Sequence, residues 1–349
     1  MVLRRPSLED TLSRLLKTSP ENIHLTKLHG DASNRIYFRL ERSQKESIIV
    51  MKLPEGALSA SEEITNLKTK PKEMPFLNVQ KYLHSLHLPV PQIILEAPEE
   101  GIILLEDLGN ETFEKRIGTS SPPEKIEWYQ KAIDLLVDLQ TKTTTPSTAC
   151  IAFERSFDEK LLNWEFDHFL EYGIEARQNV KISEDDRRTI LRWTHWITFG
   201  LTQLPKIFVH RDFQSRNLMV VQESLKLIDF QDALLGPLPY DLVALLRDSY
   251  IVLPAETVSK LIDYYCDRYQ KKGTDKLDLD FFKKMFDWMT IQRKLKDAGR
   301  FIYIDKVKKN PSFLPFTTPS LQYVREALER QKELKPLWEI LKKYAPELN

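Results

Sequence analysis

The sequence predicts an α+β protein with two lobes, a small β-rich N-terminal lobe over residues 1–108 and a larger helical lobe over residues 109–349. Three observations support this fold class. Strand-like segments concentrate before residue 108, helical periodicity dominates after it, and Gly109 follows an apolar strand at the junction. A chain of 349 residues that is 42% hydrophobic is long enough to bury the core of such a layout.

The N-terminal lobe opens with an amphipathic helix and continues with strands. Ser7 and Asp10 have the spacing of a capping box, and leucines then recur at helical spacing. β-branched and aromatic residues predict two strands joined as a hairpin by a polar loop, and later a third strand. The predicted helices cover residues 8–16 and 76–86, the strands cover 35–40, 47–53 and 102–105, and the polar segment 55–72 is a loop or weak helix.

Helical periodicity organises the C-terminal lobe, and a small β insert interrupts it. Ser183 and Asp186 again have the spacing of a capping box. Three short apolar segments separated by polar turns predict the insert. The predicted helices cover residues 124–141, 158–177, 183–204, 240–249, 256–270, 281–298 and 319–332, and the predicted strands cover 206–209, 218–221 and 225–228.

Charge, cysteine content and hydropathy exclude several classes of protein. Lysine plus arginine and aspartate plus glutamate number 51 each, so no global field favours nucleic acid or an anionic membrane, and we expect neither partner. Cys150 and Cys266 lie far apart without further ligands at metal-site spacing, which argues against a zinc module or a disulfide framework. Because we find neither a secretion signal nor an apolar run of about 18 residues, we expect a cytoplasmic protein.

The clearest chemical signal is a polar loop between two apolar strands. Residues 207–220 read I-F-V-H-R-D-F-Q-S-R-N-L-M-V, and L-I-D-F-Q-D follows. Phosphoryl transfer needs a carboxylate that positions and deprotonates the acceptor hydroxyl, and oxygen ligands that hold Mg²⁺ against nucleotide phosphates. Asp212 fits the first role, and Asn217 and Asp229 fit the second. A chance aspartate near a strand end would explain each residue alone but explains the combined spacing poorly.

A known family shares these motifs. The chain resembles the aminoglycoside phosphotransferase-like kinases, distant relatives of protein kinases, in H-R-D-x-x-x-x-N and D-F-Q. Within that group it resembles the bacterial N-acetylmuramate/N-acetylglucosamine anomeric kinases of cell-wall recycling, over about residues 20–330. The shared stretches are G-D-A-S-N-R-I-Y-F-R, L-L-E-D-L-G, D-F-Q-D-A-L-L-G-P-L-P-Y-D-L and Q-R-K-L-K-D-A-G-R-F. The resemblance implies a bilobal protein-kinase-like fold, ATP and Mg²⁺ as cofactors, and a sugar phosphorylated on its anomeric hydroxyl.

The same resemblance implies nucleotide-binding roles in the N-terminal lobe. Ser33 and Asn34 would lie in the turn over the phosphates, although such a stretch is also typical of an ordinary β-turn. Lys52 ends an apolar strand where the kinase fold places the lysine that neutralises the phosphates, with Glu73 as its nearest partner. The alternative is that Lys52 is a surface lysine at a strand end.

Further residues have two open interpretations. Glu106 and Leu108 would line the adenine, or they form a plain turn between the lobes. Arg216 would stabilise charge on the transferring phosphoryl group, or it pairs with a local carboxylate. Asp232 and Asp241 would bind sugar hydroxyls, or they cap the following helix.

A basic stretch and one departure bear on the substrate. The stretch begins at Arg293 and is typical of a solvated face, or it attracts an anionic substrate such as a sugar carboxylate. Tyr303 stands where the anomeric kinases have an arginine, which leaves the preference for the acidic sugar open. Two alternatives to a sugar kinase remain, a kinase for an aminoglycoside or an amino alcohol, and a nucleotide-binding pseudokinase scaffold.

Overall fold

The computed structural model describes residues 7–28, 35–41, 46–53, 73–273 and 276–349. Its N-terminal part has helices α1 Leu8–Leu16 and α2 Pro75–Ser85, and strands β1 His24–Lys27, β2 Ile36–Glu41, β3 Ser47–Lys52, β4 Ile93–Ala97 and β5 Ile102–Glu106. The strands form one antiparallel sheet in the order β1-β2-β3-β5-β4. The predicted loop or weak helix at residues 55–72 lies outside the described residues.

The two faces of this sheet pack against different parts of the protein. Leu40, Ile48 and Val50 pack with Leu12 of α1 on one face, which we call the outer face. Met51 belongs to the large core that continues into the C-terminal helices, on the opposite face, which we call the cleft face. Because side chains alternate along a strand, odd-numbered residues of β3 point to the cleft face and even-numbered ones to the outer face.

The C-terminal part is mainly helical and contains two small antiparallel sheets. Its helices are α3 Phe113–Thr119, α4 Pro122–Lys142, α5 Glu159–His168, α6 Glu184–Thr202, α7 Tyr240–Leu246, α8 Ala255–Lys271, α9 Leu279–Lys306, α10 Thr317–Arg330 and α11 Lys335–Tyr344. Its strands are β6 Lys206–Val209, β7 Leu218–Val221, β8 Ser224–Leu227 and β9 Leu234–Pro237, paired as β6 with β9 and β7 with β8. None of the described helices combines the length and the apolar character that crossing a membrane requires.

The lobes meet along the cleft face. The backbone N–H of Leu227 donates to the carbonyl oxygen of Pro89 at 2.7 Å. Phe76 of α2 stacks on Phe230, with ring centroids 5.2 Å apart. The segment that follows β8 therefore lies directly under the N-terminal lobe.

The predicted fold class is confirmed, and the differences lie in short or irregular elements. Five elements are not predicted from the sequence, namely β1, β4, β9, α3 and α11. β9 contains Gly236 and Pro237, which disfavour strands, and it exists because it pairs with β6. Residues 158–177 are not one α-helix, since α5 is followed by a π-helical segment, Phe169–Ala176. Gly299 of α9 packs against the backbone of this segment so closely that a Cβ atom there would lie 2.8 Å from a Cα atom.

Candidate active site

The loop of residues 210–217 joins β6 to β7 and is closed by its own polar groups. The side-chain amide of Asn217 donates to the main-chain oxygen of Asp212 at 2.9 Å. The backbone N–H of Gln214 donates to the same oxygen at 2.8 Å. The five-residue spacing seen in the sequence therefore brings the predicted base and the predicted metal ligand together on one loop.

Asp241, in the first turn of α7, holds the start of this loop. Its Oδ2 accepts a hydrogen bond from the backbone N–H of His210 at 2.6 Å, and its Oδ1 accepts one from that of Arg211 at 3.0 Å. The side chain is 0% exposed, so no sugar hydroxyl reaches it. The predicted substrate-binding role of Asp241 is therefore wrong. The carboxylate pairs buried backbone N–H groups, which cost free energy when they have no acceptor.

Asp248, just after α7, holds the second half of the loop in the same way. Its Oδ2 accepts from the backbone N–H of Ser215 at 2.8 Å, and its Oδ1 accepts from that of Tyr250 at 3.0 Å. Asp248 is not predicted from the sequence, because an aspartate that follows an apolar helix gives no local sign of a distant partner.

Two residues of the site have backbone φ angles in the left-handed region, which non-glycine residues rarely adopt. Arg211 has a φ of 79° and Asp229 has a φ of 64°. Such a conformation costs on the order of 1–3 kcal/mol and persists only where the surroundings fix it. For Arg211 the surroundings are Asp241, which accepts from its N–H, and Arg293, whose Nη1 donates to its carbonyl oxygen at 2.7 Å. The fold thus holds the backbone rigidly on both sides of the predicted base.

The Asp212 side chain is 35% exposed, while the cation behind it is completely buried. Arg293 of α9 donates from Nη2 to Asp212 Oδ1 at 3.2 Å, and its own side chain is 0% exposed. Burial raises the pKa of Asp212, but positive charges led by Lys296 and Arg293 outweigh it, so the pKa lies below its usual value. The carboxylate is therefore ionised at neutral pH, as a proton acceptor must be.

The basic stretch that begins at Arg293 is not a solvated face where it passes this loop. Arg293 and Lys294 are buried, and Lys294 Nζ binds Asp297 Oδ2 at 2.7 Å. Lys296 is also largely buried, with its Nζ 3.5 Å from the other oxygen of Asp297. Arg293, predicted to bind substrate, contacts the loop instead, so that prediction is corrected to a role behind the base.

The two predicted metal ligands present oxygen atoms that suit a hard cation. Asp229 accepts a 2.8 Å hydrogen bond from Gln231 Nε2. Burial raises the pKa of the Asp229 carboxyl, whereas the bond from Gln231 acts to lower it. The neighbouring negative charges of Asp212 and Asp232 raise it further. A cation at this position would relieve the repulsion among the carboxylates.

Asn217 completes the donor set. Its amide nitrogen is committed to the loop, so its amide oxygen is the atom for a metal. Within the described residues, no group of three or more His, Cys, Asp or Glu side chains forms a metal cage. Mg²⁺ is often held by one or two carboxylates together with substrate phosphates. The residues therefore fit a metal ion that is shared with a nucleotide.

Arg216 is engaged by a carboxylate. Its Nε and Nη2 donate to the two oxygens of Glu114 on α3 at 2.9 and 3.1 Å. Its guanidinium carbon also lies 3.7 Å from the ring centroid of Tyr250. The pairing alternative is the one that the structure shows, and Arg216 links the loop to α3. A contact with the transferring phosphoryl group stays a prediction.

Glu106 and Leu108 lie where the N-terminal sheet passes into the helical lobe. Glu106 Oε1 binds Lys226 Nζ at 2.5 Å, and its Oε2 accepts from the backbone N–H of Gln92 at 3.0 Å. Leu108 is buried. Their contact with an adenine stays a prediction.

Asp107, between them, has a bracing role that is not predicted from the sequence. It accepts hydrogen bonds from Arg39 Nε at 2.5 Å, Arg39 Nη2 at 2.9 Å and Ser47 Oγ at 2.6 Å. It also accepts one from the backbone N–H of Gly109, whose φ of 81° forms the turn between the lobes. Burial raises the pKa of Asp107, but the bonds from Arg39 and Ser47 outweigh it and the pKa is lowered. Asp107 therefore ties β2 and β3 to the inter-lobe connection.

Lys52 and Glu73 do not form the pair that the kinase fold uses. Side chains alternate along β3, so Lys52 lies on the same face as Ile48. Its side chain therefore leaves the sheet on the outer face. Glu73 instead binds Lys81 Nζ at 2.7 Å. Of the two alternatives for Lys52, the structure favours a surface lysine at a strand end.

Ser33, Asn34, Asp232 and Tyr303 are the remaining residues to which the sequence drew attention. Ser33 and Asn34 lie outside the described residues. Asp232 is half-buried, 3.4 Å from Gln231 Nε2, and its contact with sugar hydroxyls stays a prediction. Tyr303 packs against two neighbouring aromatic rings at the end of α9.

Known proteins share this chain's sequence pattern. The sequence model of the phosphotransferase enzyme family matches residues 24–279. The chain is 31% identical over 323 residues to the N-acetylmuramate/N-acetylglucosamine kinase of Neisseria meningitidis serogroup B. That likeness covers 91% of this chain and 89% of the relative.

Solved structures share the fold at low sequence identity. A choline kinase from Cryptosporidium parvum Iowa II is 14% identical with a TM-score of 0.62, covering 97% of this chain and 98% of that one. Amicoumacin kinase hAmiN in complex with AMP-PNP, Ca²⁺ and Ami is also 14% identical, with a TM-score of 0.60 and coverage of 93% and 94%. At this identity the likeness shows the fold alone.

Proposed function

Because the chain belongs to the phosphotransferase enzyme family, we propose that it transfers the terminal phosphoryl group of ATP, with Mg²⁺, to the anomeric hydroxyl of N-acetylmuramate, N-acetylglucosamine or both. The relative named for these two sugars supports the acceptor. The solved neighbour with AMP-PNP and Ca²⁺ supports a nucleotide and a divalent metal. A role in cell-wall sugar recycling in the cytoplasm, with neither nucleic acid nor membrane as a partner, belongs to the same proposal.

One observation carries the proposal, namely an ionised and partly exposed carboxylate on a rigid loop beside two oxygen ligands. Asp212 is the carboxylate, and its low pKa comes from the buried charges of α9 that outweigh its burial. Asn217 and Asp229 are the ligands. A pseudokinase scaffold would not need this carboxylate to be kept charged and in place.

The hydrogen bonds of Asp212 indicate which oxygen takes the proton. Arg293 and Gln214 both donate to Oδ1, at 3.2 and 3.3 Å. Oδ2 is then the atom that accepts the proton of the sugar hydroxyl as the hydroxyl attacks. The buried loop contacts keep this oxygen in place, and such positioning supplies most of the catalysis in phosphoryl transfer.

The metal ligands act on the nucleotide side of the reaction. When bound, Mg²⁺ neutralises charge on the phosphate oxygens. Asn217 and Asp229 would hold it through their side-chain oxygens. The positive charge of Lys296 lowers the pKa of Asp212 and so helps to keep the proposed base ionised.

The test is turnover of a panel of acceptors by the full chain with ATP and Mg²⁺, with products identified by ³¹P NMR. N-acetylmuramate and N-acetylglucosamine should yield 1-phosphates. The methyl glycoside of N-acetylglucosamine, whose anomeric oxygen is blocked, should not react. Phosphorylation of the methyl glycoside would contradict the anomeric assignment.

The same panel tests the alternative functions. Turnover of choline or gentamicin but of neither sugar would favour an amino alcohol or aminoglycoside kinase. Binding of ADP without turnover of any acceptor would favour the scaffold.

A further inference from the structure

The lysine of β3 does not bring its charge to the nucleotide cleft. In the kinase fold a lysine on this strand neutralises the nucleotide phosphates. Here the cleft-facing position at the end of β3 is Met51, which is buried and apolar. Lys52 lies one residue further on, with Ile48 and Val50 on the outer face. A nucleotide in the cleft therefore needs its positive charge from another element.

Arg35 supplies a positive charge on the cleft face from the neighbouring strand. It directly precedes β2. Because side chains alternate along a strand, Arg35 lies on the same face as Tyr37 and Arg39. Tyr37 packs against the core of the cleft face, and Arg39 binds the inter-lobe connection. Ile36 pairs with Lys52 in the sheet. Arg35 and Lys52 therefore lie at the same end of the sheet but on opposite faces.

The contacts of Arg35 with Phe76 and Tyr37 place it near the predicted metal ligand Asp229. Its guanidinium carbon lies 5.9 Å from the ring centroid of Phe76, which stacks on Phe230 at 5.2 Å. Phe230 follows Asp229 in the chain. Burial raises the pKa of Tyr37, Arg35 lowers it by charge and hydrogen bond, and Asp229 raises it. Both charges therefore lie near one hydroxyl, on opposite sides of the cleft.

We propose that Arg35 is the N-terminal-lobe cation that binds the β- and γ-phosphate groups of the nucleotide, in place of the strand lysine. The inference rests on the proposed function, since it requires a nucleotide in this cleft. A guanidinium presents a planar fork of donors that matches pairs of phosphate oxygens. The guanidinium already lies over the buried ring of Phe76 before a nucleotide arrives, which reduces the entropy lost on binding.

The test compares Arg35→Met with Lys52→Met, which each remove one positive charge from the same end of the sheet. Calorimetry on the full chain with Mg²⁺ and no sugar would measure the Kd of ATP, ADP and AMP. Arg35→Met should weaken ATP roughly 10- to 100-fold, the scale of a lost charge-assisted hydrogen bond. AMP lacks the β- and γ-phosphates, so its Kd should change by less than about 3-fold. Lys52→Met should leave all three nearly unchanged.

Several outcomes would overturn the inference. One is loss of ATP affinity in Lys52→Met with retention in Arg35→Met, and another is equal weakening of AMP and ATP, which indicates a merely structural role. If Arg35→Met folds poorly, Arg35→Lys and Arg35→Gln replace it, with recovery of ATP affinity expected only in the lysine variant. Wild-type protein that binds no nucleotide would overturn the proposed function as well. Sugar phosphorylation with unchanged ATP affinity in Arg35→Met would overturn the inference alone.

Discussion

The two sides of the cleft are built differently. On the C-terminal side, the buried charged residues Asp241, Asp248 and Arg293 each bind the backbone of the 210–217 loop. On the N-terminal side, strand parity determines which residues face the cleft, and the ion pair of Glu73 with Lys81 is exposed, with 36% and 46% of the side chains accessible. The side that carries the proposed base is thus fixed in advance, whereas the side proposed to bind the nucleotide depends on single residues at strand ends.

This difference predicts how the two sides respond to substitution. Changes on the loop side should alter rate and stability together, because the same buried groups serve both. Apart from the buried network of Asp107, changes on the strand side should alter nucleotide affinity or nothing measurable, since exposed ion pairs contribute little to stability.

The largest effect is expected at the proposed base. Asp212→Asn should reduce kcat at least about 10²-fold, the scale of general-base contributions, because an amide cannot take the proton of the acceptor. The Kd of ATP should stay close to that of the wild type. Steady-state kinetics and calorimetry would measure the two quantities. Asp185→Asn, at an exposed aspartate in the first turn of α6, is the matched control. Retention of full activity in Asp212→Asn would end the assignment of the base.

The next effect should fall on stability as well as rate. Asp241→Ala removes the acceptor of two buried N–H groups, which should lower the free energy of unfolding by about 2–5 kcal/mol. The strained conformation of Arg211 would then lose its support, so activity should fall too. Urea denaturation and kinetics would measure this. Asp267→Ala, which breaks an exposed pair with Lys271, is the control and should cost less than about 1 kcal/mol. Equal losses in the two variants would contradict the bracing role.

A smaller effect concerns pH dependence. The charge of Arg293 helps to lower the pKa of Asp212 against the effect of burial. In Arg293→Met that pKa should therefore rise, and the acid limb of the kcat/KM profile should move to higher pH. The rate at neutral pH should fall roughly 10-fold through loss of the charge-assisted bond. Arg293→Lys keeps the charge, so its acid limb should stay near that of the wild type. An unmoved limb in the methionine variant, with only a lower melting temperature, would reduce Arg293 to a structural residue.

Local patterns in the sequence predict the features that depend on near neighbours. The capping box of Ser7 and Asp10 forms as predicted, with hydrogen bonds of 3.0 and 3.2 Å. The five-residue spacing of Asp212 and Asn217 likewise places them on one loop, because a tight turn between two strands leaves little other choice. Such contacts require no knowledge of the tertiary fold.

Contacts between distant parts of the chain could not be predicted in this way. Arg293 is 81 residues from Asp212 in the sequence. Because its neighbours are basic, the stretch that begins at Arg293 has the sequence pattern of a solvent-exposed helix face. The face to which Lys52 points depends on which side of β3 packs under α1, and an apolar strand with two buried faces does not indicate that. Asp241 and Arg293, whose roles differ from those predicted, therefore have their partners on another element.

The smallest effect is expected at Glu73, and it separates the two sides of the cleft most clearly. Glu73→Gln weakens an exposed pair, so the free energy of unfolding should change by less than about 0.5 kcal/mol. Glu96→Gln removes the other carboxylate that binds Lys81 and is the matched control. If nucleotide binding drew Lys52 and Glu73 into a kinase-type pair, Glu73→Gln alone would reduce the affinity for ATP and kcat/KM about 10-fold, as the loss of a charge-assisted contact does. We expect both variants to keep a near-wild-type affinity for ATP and kcat/KM, because the Lys52 side chain leaves β3 on the outer face of the sheet.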